Sequence, residues 1–432
     1  MVKVILANAM DLGRRWGFGS SYSRVLRATD YSLYSSSTCP NAAGDLCRDE
    51  LCVGVLGLGA IGTIFFTRLG LLATNFKAKN ETSTLQVKAF VKREQFDSWT
   101  SKEKLELSLI GQRKEMLEFQ IHSDEKVATT SGLNVRVCTL EAVAEDKDGK
   151  NKLDVLLVAV KAYDSARVIR EFRERKGHLL KHDALCVLLQ NGLGEEPQED
   201  NEGESRDQWQ FACGVTFVGG RVVQFGEVVT SGLDVGKTYL APLNMLRVKK
   251  EDHSSRDDML LQKKRNDKIE MLLRVFLAAG MHCEVLGADE MQAMLWRKLI
   301  VNAAINPIAS ILNTSNRSVA SSEGSRRCVT LVVQEALEVA NREKMLLNCS
   351  QNELVEDILT LARNTGDNVC SMLADLRRGS RTEIDTITGR IVAGGKRHGV
   401  PTPTNELLLS LIKALEDERT RKDCAAAVVD SD

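Results

Sequence analysis

Short, almost uninterrupted apolar runs recur through the first half of the chain. Residues 52–56, 153–160 and 184–189 are runs of this kind, and residues 85–91 are predicted to form a further strand. A strand that is covered on both faces of a parallel sheet is apolar along its whole length. Residues 64–72 form a longer apolar run behind a glycine-rich turn and fit a helix. Strands that alternate with helices predict an α/β fold built on a parallel sheet.

A glycine motif joins the first predicted strand to the first predicted helix. Its six residues are Gly57, Leu58, Gly59, Ala60, Ile61 and Gly62. In a G-x-G-x-x-G pattern the first glycine permits a tight turn, the second lets the backbone approach a pyrophosphate, and the third lets the helix pack on the strand. The N–H groups and the dipole of the helix N-terminus favour a phosphate at the same place. The motif predicts a dinucleotide site; a chance glycine-rich turn is the alternative.

The second predicted strand ends in cations. Lys92 and Arg93 stand where folds that bind NAD commonly place an acid for the ribose 2′-hydroxyl. Because cations suit a 2′-phosphate, they favour NADP over NAD. The alternative is that they merely cap an exposed strand end, and Glu94 dilutes the positive charge.

Two further strand ends complete the expected cofactor site. Lys161 follows the third apolar run, and Asn191 lies just beyond the fourth. Ligands of open α/β sheets bind outside the carboxyl ends of the strands. We therefore expect Gly57, Lys92, Lys161 and Asn191 to lie at one crevice.

The character of the chain changes in its last third. Residues 211–240 alternate short β-like runs with glycines, which predicts hairpins that complete the first domain. Later, apolar residues recur with helical spacing. We expect an N-terminal extension over residues 1–48, a Rossmann-like NADP-binding domain over residues 49–288, an all-helical domain over residues 289–420, and a tail over residues 421–432.

Three polar residues interrupt the first helix of the second domain. Lys298, Asn302 and Asn306 are spaced four residues apart in an otherwise apolar segment, so they share one helix face. Such groups are costly to bury unless they have partners, which makes them candidates for a binding or catalytic site. A polar stripe that faces solvent or another subunit is the alternative. Because Pro307 follows directly, we expect the helix to kink or end near Asn306.

A second polar cluster lies further along the chain. It contains Ser371 and, beyond it, Glu383. Ser380 and Glu383 have the spacing of a capping box, which would give Glu383 a structural role before an amphipathic helix. The spacing alone does not decide between a cap and a catalytic carboxylate.

Composition and charge exclude several classes of protein. The formal net charge is -1 and no domain-wide basic stripe occurs, so no nucleic-acid partner is expected. No apolar segment is long enough to span a membrane. Eleven cysteines without a Cys-x-x-Cys pair predict reduced thiols in a cytosol or mitochondrial matrix rather than a zinc site or a disulfide framework, and no metal is expected.

The first 48 residues are basic, rich in serine and poor in acids. This is the pattern of a transit peptide. A disordered extension or a mispredicted start is the alternative. We expect the protein in the cytoplasm or in the mitochondrial matrix.

Taken in order along the chain, these motifs resemble those of the ketopantoate reductase family, NADPH-dependent enzymes of pantothenate synthesis. The resemblance runs from about residue 51 to residue 416. The matching segments are residues 57–62, 160–163, 190–192, 295–299, 301–302, 305–307 and 381–385. The lysine–asparagine–asparagine helix and the Thr-Glu-Ile-Asp segment are specific to the family, whereas the glycine motif is not.

The resemblance implies a role for each matching residue. Lys298 matches the family's catalytic lysine, and Glu383 matches its active-site glutamate. The substrate-contacting positions are Asn302, Asn306, Asn316 and Ser371. The cofactor contacts are the six residues of the glycine motif together with Lys92, Lys161 and Asn191. One departure is Arg317, which stands where the family often has a glycine.

The implied reaction is the reduction of 2-dehydropantoate (ketopantoate) to pantoate, with Lys298 as the proton donor. Burial would lower the pKa of this lysine and Glu383 would raise it. Two alternatives stay open: a reductase of another 2-oxo acid, and a non-catalytic NADP-sensing module. The expected partner is a small 2-oxo acid, with no membrane, and the protein is expected to be a monomer or a homodimer.

Overall fold

The structure is a computed structural model. It describes residues 51–78, 85–101, 105–111, 114–122, 126–131, 134–139, 141, 152–189, 209–231, 236–243 and 256–429. These residues form two compact units, one within residues 51–291 and one from residue 292 onward. The predicted N-terminal extension and Asn191 lie outside the described residues.

All strands among the described residues belong to the first unit. In chain order they are β1 Leu51–Leu56, β2 Leu85–Val91, β3 Glu106–Ile110, β4 Lys114–Glu118, β5 Gln120–His122, β6 Val127–Thr129, β7 Val135–Thr139, β8 Leu153–Val158, β9 Leu180–Leu189, β10 Gln210–Thr216, β11 Gly219–Gln224, β12 Glu227–Ser231, β13 Lys237–Pro242 and β14 His282–Val285. Its helices are α1 Ala60–Ala78, α2 Arg93–Thr100, α3 Ala162–Lys176 and α4 Arg256–Ala278.

Ten of the described strands form one sheet in the order β14-β13-β10-β9-β8-β1-β2-β7-β6-β5. From β7 to β10 all neighbours are parallel. These six parallel strands lie in the order β7-β2-β1-β8-β9-β10. If they are numbered one to six along the chain, the order is 3-2-1-4-5-6, which is that of dinucleotide-binding folds. The central strand β1 is buried at every position, as its apolar run predicts. The α/β prediction for this half is confirmed.

A second sheet, absent from the sequence-based expectations, has the order β11-β12-β3-β4 within the described residues. The predicted hairpin is present as the antiparallel pair β11–β12, and β3–β4 forms another. The parallel pair β12–β3 joins the two hairpins. Buried Leu107 and Leu109 of β3 belong to the same core as the main sheet.

The second unit is helical throughout its described residues. The helix that leads into it is α5 Ala288–Ile311, and α6 Arg317–Ser321, α7 Glu323–Arg342, α8 Gln351–Asn364, α9 Ser371–Arg377, α10 Thr388–His398 and α11 Pro403–Val429 follow. Their common core includes Ile300, Val333, Ile358 and Ile412. The helical prediction for this half is confirmed. No helix among the described residues is long and apolar enough to cross a membrane.

Two local expectations for this unit are corrected. Helix α5 does not end near Asn306 but continues through Pro307 to Ile311, so the expected ending is wrong, whereas a kink at this place stays a prediction. A proline inside a helix costs about 3 kcal/mol, and burying one large aliphatic side chain, such as the 5% exposed Ile308, contributes about 1.5–3 kcal/mol. Burial of the last turn thus offsets the missing backbone donor.

The capping box is also not formed. Helix α10 begins at Thr388 and its N-cap residue makes no side-chain cap. Glu383 lies five residues earlier, in a turn, and is 4% exposed. The N–H of Ser380 donates to the carbonyl oxygen of Asp375 at 2.9 Å. The structure therefore excludes the purely capping role of Glu383.

Candidate active site

The glycine motif forms the turn between β1 and α1. Gly57 has a φ of +91°, which favours glycine because it lies in the left-handed region. Its N–H donates to the carbonyl oxygen of Phe90 at the end of β2, at 3.1 Å. A β-carbon on Gly62 would overlap the carbonyl oxygen of Gly57. The first and third glycines are therefore required by the packing of the turn itself.

Gly59 differs from the other two glycines. It is exposed, and a β-carbon placed on it would meet no atom within 4 Å. The protein's own packing therefore does not require a glycine here. A pyrophosphate binds where it can approach the backbone N–H groups at a helix N-terminus without meeting a side chain. The open space at Gly59 therefore fits a dinucleotide.

Two lysines stand on opposite sides of the glycine turn. Leu56 pairs with Phe90 of β2 on one side and with Val158 of β8 on the other. Lys92 follows β2 and is exposed, while Lys161 follows β8 and precedes the first residue of α3. Both are thus brought to the carboxyl edge of the sheet, where the sequence predicts them.

The charge of Arg93 has a partner. Its Nε lies 3.6 Å from a carboxylate oxygen of Asp97, one turn along α2. Lys92 is therefore the better candidate of the two for a 2′-phosphate. The remaining predicted contact, Asn191, lies outside the described residues, and β9, which precedes it, ends at Leu189.

The second unit places Lys298 and Glu383 within electrostatic reach of each other. Lys298 lies on α5 and is half-buried. Burial lowers the pKa of its ammonium group to about 8, and the negative charge of Glu383 opposes this effect without cancelling it. Of the two opposing effects on the pKa of Lys298, burial is therefore the larger. Near neutral pH the lysine is protonated but readily gives up its proton.

The two asparagines that precede Pro307 lie on the same helix as the lysine. Asn302 is half-buried and Asn306 is 7% exposed. The Cys370 thiol donates to the carbonyl oxygen of Asn306 at a sulfur–oxygen distance of 3.7 Å. Ser371, the next residue, begins α9 and is exposed. This contact joins the residue before the predicted serine to the backbone of α5 at Asn306.

Asn316 is held at one end of its side chain only. Its Nδ2 donates to the Thr365 hydroxyl at 3.0 Å, and because that hydroxyl itself donates to the carbonyl oxygen of Leu361, the orientation of the amide is fixed. The Asn316 Oδ1 is buried and has no hydrogen-bond partner. A buried carbonyl oxygen of this kind calls for a donor, such as a ligand hydroxyl.

Sequence reasoning missed a set of charged residues around Glu383. Glu416 Oε1 accepts the N–H of Thr382 at 2.7 Å, and the Lys413 ammonium binds the carboxylate of Asp385 at 2.5 Å. Both long side chains lie on α11, where their spacing is that of an ordinary solvated helix face. No local signal marks them, because their partners are about 30 residues away in the chain.

Together these residues can carry out acid–base chemistry on a small polar molecule. The ammonium group can protonate a developing alkoxide, and neutral amides can bind oxygen atoms without adding charge. No group of three or more His, Cys, Asp or Glu side chains in the described part of the chain could hold a metal ion. The absence of a metal stays a prediction.

Comparisons with known proteins match both halves of the chain. The family model described as "Ketopantoate reductase PanE/ApbA" matches residues 53–245, and its C-terminal counterpart matches residues 290–416. A 2-dehydropantoate 2-reductase of Archaeoglobus fulgidus is 29% identical over 297 residues, covering 69% of this chain and 87% of that protein. One from Pyrobaculum aerophilum is 38% identical over 260 residues, covering 60% and 76%.

Solved structures share the fold. A ketopantoate reductase from Ralstonia eutropha JMP134 has a TM-score of 0.61 and 21% identity, covering 86% of this chain and 100% of that one. D-mandelate dehydrogenase, solved with NADH and anilino(oxo)acetate, has a TM-score of 0.63 and 20% identity at the same coverage. The predicted family resemblance and fold class are confirmed: the chain is an oxidoreductase that belongs to the ketopantoate reductase family.

Proposed function

We propose that the protein reduces 2-dehydropantoate to pantoate with NADPH. One observation carries the proposal: a half-buried lysine, Lys298, has a pKa lowered to about 8 next to the buried carboxylate of Glu383. A general acid works best when its pKa lies near the working pH. An NADP-sensing module would need the residues of the glycine turn but has no use for this pair.

The proposed domains divide the work. Residues 49–288 would bind the cofactor through the glycine motif (residues 57–62), Lys92, Lys161 and Asn191, and residues 289–420 would bind the substrate. The bare backbone at Gly59 fits a pyrophosphate. When bound, NADPH supplies the hydride that reduces the ketone.

Lys298 gives its proton to the ketone oxygen as negative charge develops there. The Nζ–H bond breaks, the new O–H bond forms on the product alcohol, and solvent returns a proton to the amine. Glu383 keeps the ammonium form populated, because its negative charge raises the pKa of the lysine against the effect of burial. Removing a positioned acid of this kind costs roughly 10²–10⁴-fold in rate.

The substrate is proposed to bind through neutral groups. Asn302 and Asn306 offer amides on the lysine's own helix, Asn316 offers its unpartnered Oδ1, and Ser371 offers a hydroxyl for the carboxylate. Amides can hold the hydroxyl and carbonyl oxygens of a hydroxylated 2-oxo acid without adding a further charge beside Lys298 and Glu383.

A second substrate has one observation in its favour. Arg317, next to Asn316, stands over Gly366, where its guanidinium lies 2.7 Å from the place a β-carbon would take, and it pairs with Asp367 at 3.3 Å. Because both side chains of this ion pair are exposed, the pair is weak, and the guanidinium can exchange Asp367 for a carboxylate of a more acidic 2-oxo acid than ketopantoate.

The test is a spectrophotometric screen of 2-oxo acids with NADPH and with NADH. We expect the highest kcat/KM with ketopantoate and NADPH, and near-complete loss of turnover in Lys298→Ala with NADPH binding intact. Near-normal turnover of that variant would remove the lysine from the mechanism. A melting temperature raised by NADPH without turnover of any 2-oxo acid would favour the sensing module.

Location and assembly are proposed separately. The basic, serine-rich residues 1–48 would direct the protein to the mitochondrial matrix, and import of a reporter fused to them tests this; a purely cytosolic signal would contradict it. A homodimer is proposed because a dimeric ketopantoate reductase from Staphylococcus aureus has this fold. Analytical ultracentrifugation distinguishes it from a monomer.

A further inference from the structure

The active-site carboxylate stands on a segment that has no regular secondary structure of its own. Glu383 lies in the turn between α9 and α10. Inside the segment, the Thr382 hydroxyl accepts the N–H of Ile384 at 3.2 Å, and the N–H of Ile387 donates to the carbonyl oxygen of Glu383 at 3.1 Å. These local bonds shape the turn but do not attach it to the rest of the helical unit.

Helix α11 supplies that attachment on both sides of the glutamate. One residue before it, the N–H of Thr382 donates to Glu416 Oε1 at 2.7 Å. Two residues after it, Asp385 binds Lys413 at 2.5 Å. Lys413 and Glu416 Oε2 are 3.5 Å apart. The two α11 side chains that bind the turn are thus also in contact with each other.

The two attachments differ in strength. Lys413 and Asp385 are 38% and 35% exposed, and exposed ion pairs contribute little. The Glu416 side chain is only 13% exposed, and Thr382 is fully buried. A hydrogen bond from a buried backbone N–H to an ionised acceptor is among the stronger ones. Glu416 is therefore the main tie between the turn and α11.

Helix α11 is itself fixed where it begins. Both carboxylate oxygens of Glu335 on α7 accept the first backbone N–H groups of α11, those of Thr404 and Asn405, at 2.9 and 3.0 Å. Ile412, between these residues and Glu416, is fully buried. The helix is a rigid support rather than a loose terminal segment.

We propose that Glu416 is a positioning residue that holds the Glu383 carboxylate in place beside Lys298 through its hydrogen bond to the Thr382 N–H. The proposal rests on the proposed function for its kinetic consequences. Glu416 acts through the backbone, because its carboxylate accepts the N–H of the residue just before Glu383. The negative charge of Glu383 is what opposes the effect of burial on the Lys298 ammonium.

The test compares three variants of the full-length protein with the wild type. Glu416→Ala removes the acceptor. Glu416→Gln keeps an acceptor oxygen in the same place without the charge. Asp417→Ala is a matched control, since Asp417 is an exposed acid on the same helix. The readouts are kcat, the KM for NADPH, the pH dependence of kcat and the melting temperature.

We expect Glu416→Ala to lower kcat at least about tenfold, because displacement of a catalytic group by about 1 Å can cost 10²-fold. The KM for NADPH should stay unchanged. The fall of kcat at alkaline pH should begin at a lower pH than in the wild type. Glu416→Gln should retain most of the activity, and Asp417→Ala should match the wild type. A wild-type pH profile in Glu416→Ala overturns the proposal, even if kcat falls, because a merely structural loss leaves the profile in place.

Two complications are covered by further measurements. If Glu416→Ala fails to fold, Glu416→Asp, which withdraws the carboxylate by one methylene, replaces it with the same expected and contradicting outcomes. If the wild type reduces no 2-oxo acid, the proposed function fails but the positioning can still be read. The pH at which Lys298 reacts with an amine-directed reagent should then be lower in Glu416→Ala than in the wild type, and an unchanged value would refute the positioning role.

Discussion

Replacing Lys298 with methionine should stabilise the protein while it abolishes turnover. The lysine holds a charge where the surroundings disfavour it: burial lowers its pKa from 10.5 to about 8 despite the attraction of Glu383. Methionine keeps a flexible apolar side chain of similar length and removes the ammonium group. The folded state then no longer has to desolvate a charge.

The size of the effect follows from the pKa. One unit of pKa corresponds to about 1.4 kcal/mol, so the change from 10.5 to about 8 corresponds to about 3 kcal/mol. This value already includes the attraction of Glu383. Because Lys298 is only half-buried, solvent screening reduces it, and we expect a gain of about 1–3 kcal/mol in the free energy of unfolding at pH 7.

The stability advantage of Lys298→Met should depend on pH in a way that identifies its cause. Below pH 8 Lys298 is charged in the folded and in the unfolded protein, so the full cost of burying its charge lowers the stability of the wild type. Between pH 8 and 10.5 the unfolded chain binds more protons than the folded one, so wild-type stability rises with pH. The advantage of the variant should therefore shrink to about half or less by pH 9.5 and vanish above pH 10.5.

Urea unfolding at pH 7 and pH 9.5 measures this difference in stability. It is followed by tryptophan fluorescence, to which Trp296, buried in the same helix as Lys298, contributes. Lys396→Met serves as the control, because this lysine of α10 is exposed and its loss should change stability by less than about 0.5 kcal/mol. A Lys298→Met protein that is no more stable than the wild type at pH 7, or whose advantage is unchanged at pH 9.5, would refute the reasoning.

Other predictions concern the reaction and the cofactor. The kcat should fall about tenfold from pH 7 to pH 9 as Lys298 loses its proton, and Glu383→Gln should move this limb to lower pH; a flat profile contradicts both. Gly59→Ala should melt like the wild type but bind NADPH on the order of tenfold more weakly by calorimetry, whereas Gly62→Ala should lose about 1–3 kcal/mol of stability or more; equal effects would mean that the open side of the turn does not face the cofactor. Lys92→Glu should raise the KM for NADPH about tenfold and leave the KM for NADH unchanged, and a parallel change in both would refute contact with the 2′-phosphate.

The sequence predicted those parts of the fold in which each residue follows a local rule. The buried strand β1, the glycine turn and the parallel strands that end near Lys92 and Lys161 are legible because strand periodicity and turn chemistry act over a few residues. The i, i+4 spacing of Lys298 and Asn302 is local in the same sense. These features are where the predictions agree with the structure.

Features that depend on distant partners could not be found in this way. The second sheet joins β3 to β12, more than 100 residues apart in the chain, so no short window contains its pairing. Pro307 is a local stop signal that tertiary burial overrides. Ser380 and Glu383 have the spacing of a cap but are drawn into a turn whose anchors, on α11, lie some 30 residues further on.

The attachment of the active-site turn to α11 has a practical consequence for protein production. The helix runs to Val429, but its contact with Thr382 is made at Glu416. Any shortening of the gene at its 3′ end should therefore keep codon 416 and the helical turn that follows it. A truncation that removes codon 416 would yield a protein that still folds around Ile412 but has lost the hydrogen bond from Thr382 to Glu416 that holds the active-site turn.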